Sequence, residues 1–439
     1  MAADRQTRRN IKEDDMGILS SLYSGISGLS VNGSALSVIG NNIANNNTIG
    51  FKAGRTLFSD LLSSNVASSA GLSQVGRGVE LSTIDNLFSQ GTFENTEVNT
   101  DLAIEGDGFF MVREELTSNT LFTRAGAFRF NSDGFLVSPE GYRVQGYALN
   151  LAGDISGDLT DIEVDTTTLS APRATTTVGL ATNLDADASY VGPFDINDPD
   201  NTSNWANSVN IYDSLGNAHL MTLYFSKMDP AANPLEWEWN ASIDGVELGG
   251  AAGPVLIGSG NLLFDTAGEM TAANPPSQPT IPGVLTWNNN SDQTQVLDLT
   301  FDTTQYSNAS VVISQTQDGY TTGTVAKLSI DNEGNVMGNY SNGQPRALYR
   351  IAMAKFSNPA GLTKTGESCY LASGASGAAI VGTVGSGIGK IFTNALEQSN
   401  VDLAQEFVNM ITTQRGFQAA SKVITTTDEM LSDLINLKR

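Results

Sequence analysis

The chain is short of several things that chemistry usually needs. Among its 439 residues there is one cysteine, Cys369, and one histidine, His219. A lone thiol cannot close an intramolecular disulfide, and the pair cannot supply the Cys/His set of a zinc site. Cys369 reads as a small buried hydrophobe, with a link between neighbouring subunits left open, and His219 as a half-exposed strand residue. Basic residues are scarce too, 23 Lys and Arg against 47 Asp and Glu, for a net charge of −24. A field of that sign repels phosphate backbones and anionic headgroups, which argues against nucleic acid as a partner. No apolar run approaches the roughly 18 residues that span a bilayer, so no membrane insertion is expected.

Catalytic patterns are equally sparse. "TVGSGIGK", residues 383 to 390, misses two required positions of a phosphate loop, with Val384 where its first glycine belongs and Ile391 in place of Ser or Thr. As a dinucleotide fingerprint it has Lys390 at the third glycine. "EGDGFF", residues 105 to 110, has too few carboxylates for a calcium loop. The only histidine base is His219, and Asp213 and Ser214 near it in "YDSLGN" are turn residues. The expectation is a protein that is not an enzyme and carries no cofactor.

What the chain does have is a greasy stripe at each end. Leu19, Leu22, Ile26, Leu29, Leu36 and Ile43 mark the first, with Leu22, Leu29, Leu36 and Ile43 spaced by sevens as in a coiled-coil seam. Gly25, Gly28, Gly33 and Gly40 weaken that helix by roughly 1 kcal/mol each relative to Ala. At the far end Leu403, Met410, Phe417, Ile424 and Leu431 recur by sevens, and Phe407, Ile411, Leu434 and their neighbours widen the stripe. "SNVD" before it fits a helix start with Ser399 as N-cap. Two such stripes at opposite termini predict helices that pair with each other and leave apolar surface for other copies of the molecule.

Between them the composition turns to Gly, Thr, Ser and Asn with period-two alternation. "LEWEW" puts Leu235, Trp237 and Trp239 on one face, and "LDLTF" does the same with Leu297, Leu299 and Phe301. Asp-Gly pairs at 107, 133, 244 and 318 and the Asn-Gly pair at 342 are read as turns with positive φ. Residues 166 to 340 hold 19 acidic and 3 basic side chains, the composition of a solvated outer domain. The fold expected is therefore mainly β and multidomain, with β-rich inner and outer domains inserted between paired N- and C-terminal coiled-coil helices. Its parts are a disordered leader at 1–15, with Met16 as a candidate natural start, a helix at 16–45 and an extended joint at 46–90. An inner β-shell at 91–165 and 341–390, an outer β-domain at 166–340 and a C-terminal helix at 391–439 complete it. A cleaved secretory signal is not expected, because Ser and Gly interrupt the would-be apolar core after Met16 and no small-residue cleavage site follows.

One stretch stands apart: "NNIANNNTIGFK", residues 41 to 52, crowds Asn41, Asn42, Asn45, Asn46 and Asn47 ahead of Gly50. Asn tolerates the left-handed conformation and Gly permits a sharp exit, so these residues are expected to end the helix and form a joint to the domain that follows.

From Met16 to Arg439 the chain resembles the bacterial flagellar axial proteins, and among them the hook proteins. The likeness lies in "LYSGISGLSVNGSALSVIGNNIANNNTIGFK", "DLAIEGDGFF", "TRAGAFRFNSDGFLVSPEGYRVQGY" and "LEQSNVDLAQEFVNMITTQRGFQAASKVITTTDEML". "NIYDSLGNAHLMTLYF", "NLLFDTAGEM" and "MAKFSNPAGLTKTGES" separate hook-like from rod-like members, while the leader and Asn46-Asn47-Thr48-Ile49 depart from the usual pattern. The resemblance implies a subunit of an extracellular, flexible helical tube that transmits torque as a universal joint. It also implies export without a cleaved signal, through the flagellar type III apparatus. The partners implied are other copies of itself, the distal rod protein, the hook cap protein and the hook-filament junction proteins, with the joint letting each shell tilt on its inner helices. A distal rod or other axial role is the alternative, a surface adhesin or glycan-active enzyme a remote one.

Overall fold

The computed structural model describes residues 2–68, 71–150, 152–165, 167, 169–231, 234–274 and 285–437, with the backbone alone at 2–19, 64–68, 71–73, 75, 272–274, 434 and 437. It divides into two compact units. The first gathers residues 1–165, 328–338 and 346–439, the second 166–327 and 339–345. Residues 328–338, expected with the outer domain, thus belong to the first unit.

Two long helices come from the chain ends, Ala2–Ala44 and Leu403–Leu437. The N-terminal helix is continuous through residues 2–15, where a disordered leader was expected; Ala, Arg, Gln, Lys and Glu there are strong helix formers. The C-terminal helix starts later than the expected 391. Lys390–Thr393 pairs with Leu102–Glu105 and Ala395–Glu397 with Phe93–Asn95, so backbone groups before residue 398 are already committed to ladders. Its cap is Asp402, not Ser399: the Asp402 carboxylate accepts from the amides of Ala404 and Gln405 at 2.9 and 3.2 Å.

The helices run antiparallel and close together because small residues face each other. A Cβ on Gly25 would lie 2.9 Å from Ile424 Cγ1, one on Gly28 3.5 Å from Ala420 Cβ, and one on Gly416 3.0 Å from Asn32 Oδ1. Of the four glycines that weaken the N-terminal helix by propensity, Gly25 is the one whose missing side chain lets the partner approach, whereas a Cβ on Gly40 would meet nothing within 4 Å. Residues 46–90, expected as an extended joint, contain an antiparallel pair, Gly54–Asp60 with Val79–Asn86, lying along the N-terminal helix. The Ser27 hydroxyl accepts from the Val79 amide there at 3.3 Å.

The rest of the first unit is an antiparallel body in which Arg143–Leu149, Phe109–Arg113, Thr120–Thr123, Cys369–Leu371 and Thr363–Gly366 are neighbours in that order. Leu102, Ile104, Phe110, Val112, Phe128 and Met353 lie in its core. The second unit has a five-stranded meander, Trp205–Tyr212, Ala218–Lys227, Glu236–Asp244, Pro254–Phe264 and Met270–Asn274. Beside it Thr177–Asp185 pairs parallel with Asp298–Tyr306 and antiparallel with Val311–Gln317. Trp237, Trp239, Leu297 and Leu299 are buried in a single core and Leu235 and Phe301 pack against it, as the alternation predicts.

Among the described residues one turn recurs at five places with a common set of bonds. Asn131, Asn150, Asp213, Asp265 and Asp331 each accept, through Oδ1, from the amides two and four residues on. The glycine three residues on is left-handed every time, with φ between 79° and 87°. The side chain satisfies two amides that the tight reversal would otherwise leave unpaired, and Gly takes the conformation other residues resist. Of the Asp-Gly turns read from the sequence, Gly108 and Gly134 have positive φ and Gly245 and Gly319 do not. Gly319 is small for a different reason, since its Cβ would fall 2.2 Å from Thr175 Oγ1.

Candidate functional site

The helix pair sorts the two stripes into covered and uncovered residues. Leu22, Leu29, Leu36 and Ile43 on one helix and Met410, Phe417, Ile424 and Leu431 on the other are half-buried. Leu403, Phe407 and Ile411, spaced by fours along one side of the C-terminal helix, are 37, 51 and 51% exposed, and Ile26 is 47% exposed. The side chains of Leu19 and Leu434 lie outside the described residues. Apart from Leu403, these heptad positions are thus half-covered within the chain, and Leu403, Phe407, Ile411 and Ile26 carry apolar surface left open to others.

The asparagine stretch ends the helix differently from expectation. None of Asn41, Asn42, Asn45, Asn46 and Asn47 is left-handed; Gly50 alone takes that role, with φ +67°. Asn42 is buried and bonds the Gly54 backbone twice, donating to its carbonyl at 2.8 Å and accepting from its amide at 2.9 Å. Asn45 donates to the Asn41 carbonyl and accepts from the Thr48 hydroxyl. Gly50 donates to the Glu397 carbonyl at 2.8 Å, and a Cβ there would stand 2.5 Å from the Ala125 amide nitrogen. The exit is built from side-chain amides that hold backbone in place.

Just past the joint lies a cluster that the sequence reading missed. Lys52, wholly buried, places Nζ 2.6 Å from Glu397 Oε1 and 2.8 Å from the Ser89 carbonyl. Arg124, also buried, reaches Glu397 Oε2 at 3.4 Å and donates to the carbonyls of Ile104 and Gly106. Glu397 Oε1 accepts in addition from the Gly91 amide at 2.9 Å. Burial pulls the Lys52 ammonium below its ordinary range against the opposing pull of Glu397, and Arg124 is lowered for the same reason. Asn400 completes the contact, accepting from the Ala53 amide and donating to the carbonyls of Leu87 and Ser89. The signal in the sequence was faint, namely single charges in "IGFKAG", "TRAG" and "NALEQ" with mostly small or apolar neighbours.

In the second unit His219 is buried, more than the half-exposed strand position expected of it. It stacks on Trp287 with ring centroids 3.6 Å apart, 2.8 Å from Glu247 Oε2 and 3.4 Å from Asp213 Oδ2. Burial opposes ionisation of Asp213, but hydrogen bonds from Asn217, Asn289 and His219 prevail and hold it at about 2. Cys369 is buried in the first unit, and burial, reinforced by Glu140, pushes its thiol up to about 12. Burial and a raised pKa both work against the thiolate that cross-linking needs. Among the described residues no group of three or more His, Cys, Asp and Glu is placed to hold a metal, and no helix is long and apolar enough to cross a membrane.

Helices from both termini, a clasped root and two β-units frame a comparison with known proteins. Four family models match in succession: flagella basal body rod protein at residues 22–52, flagellar hook protein FlgE/F/G D1 domain at 103–178, flagellar basal body protein FlaE D2 domain at 180–320, and flagellar basal body rod FlgEFG protein C-terminal at 393–437. The flagellar hook protein FlgE of Treponema pallidum is 35% identical, with 96% of this chain and all of that one covered. The chain belongs to the flagellar hook protein family. Hook protein FlgE of Borreliella burgdorferi is likewise 35% identical over 96% of this chain and 100% of its own length, and that of Salmonella typhimurium 34% over 94% and 98%. Hook-family likeness thus runs through both units and both terminal helices.

Proposed function

We propose that this hook-family chain is a structural subunit of the bacterial flagellar hook, self-assembling into a flexible helical tube that passes motor torque from rod to filament as a universal joint. The observation that carries the assembly is the uncovered line of Leu403, Phe407 and Ile411 on a helix whose other side is spent on its intramolecular partner. Identical subunits that cover this line by a contact that does not close form a helical polymer. Ile26 adds to the contact, and the half-buried heptad residues supply its inner half. At the joint, Asn42 and Gly50 hold the angle, and the partly exposed Asn45, Asn46 and Asn47 between them are where shell and helices yield. The remaining partners are the distal rod protein, the cap protein during growth, the hook-filament junction proteins and the type III export apparatus. The tube stands outside the cell, its subunits exported without a cleaved signal, and no catalysis is assigned to it.

Electron microscopy of the purified full-length chain tests the reading. Curved, flexible tubes are expected, and a chain carrying Leu403→Ser, Phe407→Ser and Ile411→Ser together is expected to stay dispersed with the helical circular dichroism of the parent. Tubes from the triple variant would remove the strip as the contact. Straight, rigid tubes from the parent would favour a rod component instead.

A further inference from the structure

The ion cluster at the root has unequal charge: two cations, Lys52 and Arg124, share one carboxylate, Glu397. Lys52 and Glu397 lie 345 positions apart in the chain, and the side chains of both are fully buried. The cations have carbonyl partners of their own, Ser89 for Lys52 and Ile104 and Gly106 for Arg124. Arg124 Nε is buried with no acceptor, and the charge of Arg124 acts against the Lys52 ammonium. Glu397 is the one carboxylate bonded to both; the exposed Asp107, itself paired with Lys355, adds a pull on Arg124 from outside the cluster. Glu397 arrives on Ala395–Glu397, the last strand before the C-terminal helix, which pairs with Phe93–Asn95. Space there is tight as well: a Cβ on Gly91 would meet the Gln398 carbonyl oxygen at 2.0 Å.

We propose that Glu397 is the closing key of the β-body. Until the returning strand brings its carboxylate in, Lys52 and Arg124 share no buried counter-charge, with only the exposed Asp107 drawing on Arg124, and the segments that carry them stay open. The device makes the N-terminal root, residues 50–53, the body strands around 89–106 and the C-terminal return one cooperative element, so that a body closed without its return is not populated. It acts within a single subunit and stands apart from the assembly reading; a failure to polymerise leaves it untouched.

Charge arithmetic gives the test, because the intact cluster carries one excess positive charge. Glu397→Gln keeps the shape and leaves two buried cations. Lys52→Met leaves the balanced Arg124 and Glu397 pair. The two changes together leave one cation, as in the parent. Hydrogen exchange on the full-length chain should show Glu397→Gln lowering protection at 50–53 and 91–105 on the order of a hundredfold, the scale of an uncompensated buried charge. Lys52→Met should do less, and the double variant should recover protection relative to Glu397→Gln alone, whether that single variant is loosened or fully unfolded. A role in packing alone predicts the reverse, with the double variant worse than either single one. Parent-like protection in Glu397→Gln, a more damaging Lys52→Met, or a double variant no better than Glu397→Gln overturns the proposal.

Discussion

The C-terminal helix and the strands of the second unit dispose of their apolar side chains in opposite ways. Among the described residues of the helix only Thr427 is buried, although Leu, Ile, Phe, Val and Met recur along its length. In the second unit Trp237, Trp239, Leu223, Phe225 and Leu297 are fully enclosed by the chain's own strands. Burial completed inside one chain fixes a stable body; burial left incomplete on a regular helix is a surface waiting for a partner. The contrast predicts that equal changes of side-chain size have unequal effects on the monomer.

The largest effect is expected from Trp239→Ala. Removing a fully enclosed indole leaves a cavity beside Phe301 and should cost about 3–5 kcal/mol. Denaturant titration checks the magnitude, and hydrogen exchange should place the lost protection within residues 177–317. A cost near zero would mean that this core is loosely filled and would erase the comparison.

A smaller effect is expected at Asp213, which joins the second unit's strands to the segment after Leu285. Its carboxylate accepts from the amides of Leu215 and Asn217 and from the side chains of Asn217 and Asn289. Asp213→Ala, which leaves those donors unpaired, should cost about 2–3 kcal/mol. The sign with pH follows from the lowered pKa. The folded value of about 2 lies below the ordinary 3.8, so the ionised form stabilises the fold fully above about 4. That contribution falls away as pH drops through the interval from 3.8 to about 2. Melting curves between pH 5 and 2, on the parent and on Asp213→Ala, should therefore converge at the acid end. Parallel curves would assign the stability to other carboxylates.

How much of this was legible depended on whether a rule is local. Trp237 and Trp239 could be placed in a core because strand alternation needs only neighbouring residues. The heptads at both ends were legible too, but a heptad does not say which molecule covers it: Met410, Phe417 and Ile424 turned out largely covered by their own chain, and Phe407 and Ile411 did not. Gly25 read as a weak point because the contact that needs it comes from the other terminus. The five Asx turns were half seen, since Asp-Gly drew the eye when the operative pair is Asp or Asn with a Gly three residues on. Lys52, Arg124 and Glu397 were invisible for the strongest form of the same reason, each being an ordinary surface-type residue until a fold brings segments 345 positions apart together.

The smallest effect is also the most telling. Phe407 is as large an apolar residue as any in the second unit's core except tryptophan, yet half of its surface stays open beside Leu403 and Ile411. In the monomer its removal forfeits little burial and leaves no enclosed cavity, so Phe407→Ser should change unfolding free energy by no more than about 0.5 kcal/mol. In the assembled tube the same side chain is expected to be covered, and the loss should appear there instead, as a raised critical concentration for polymerisation. Measuring both on one variant separates the two kinds of burial. A large monomer cost would show that the helix strip already serves its own subunit, and the partner surface would then have to be sought elsewhere on the chain.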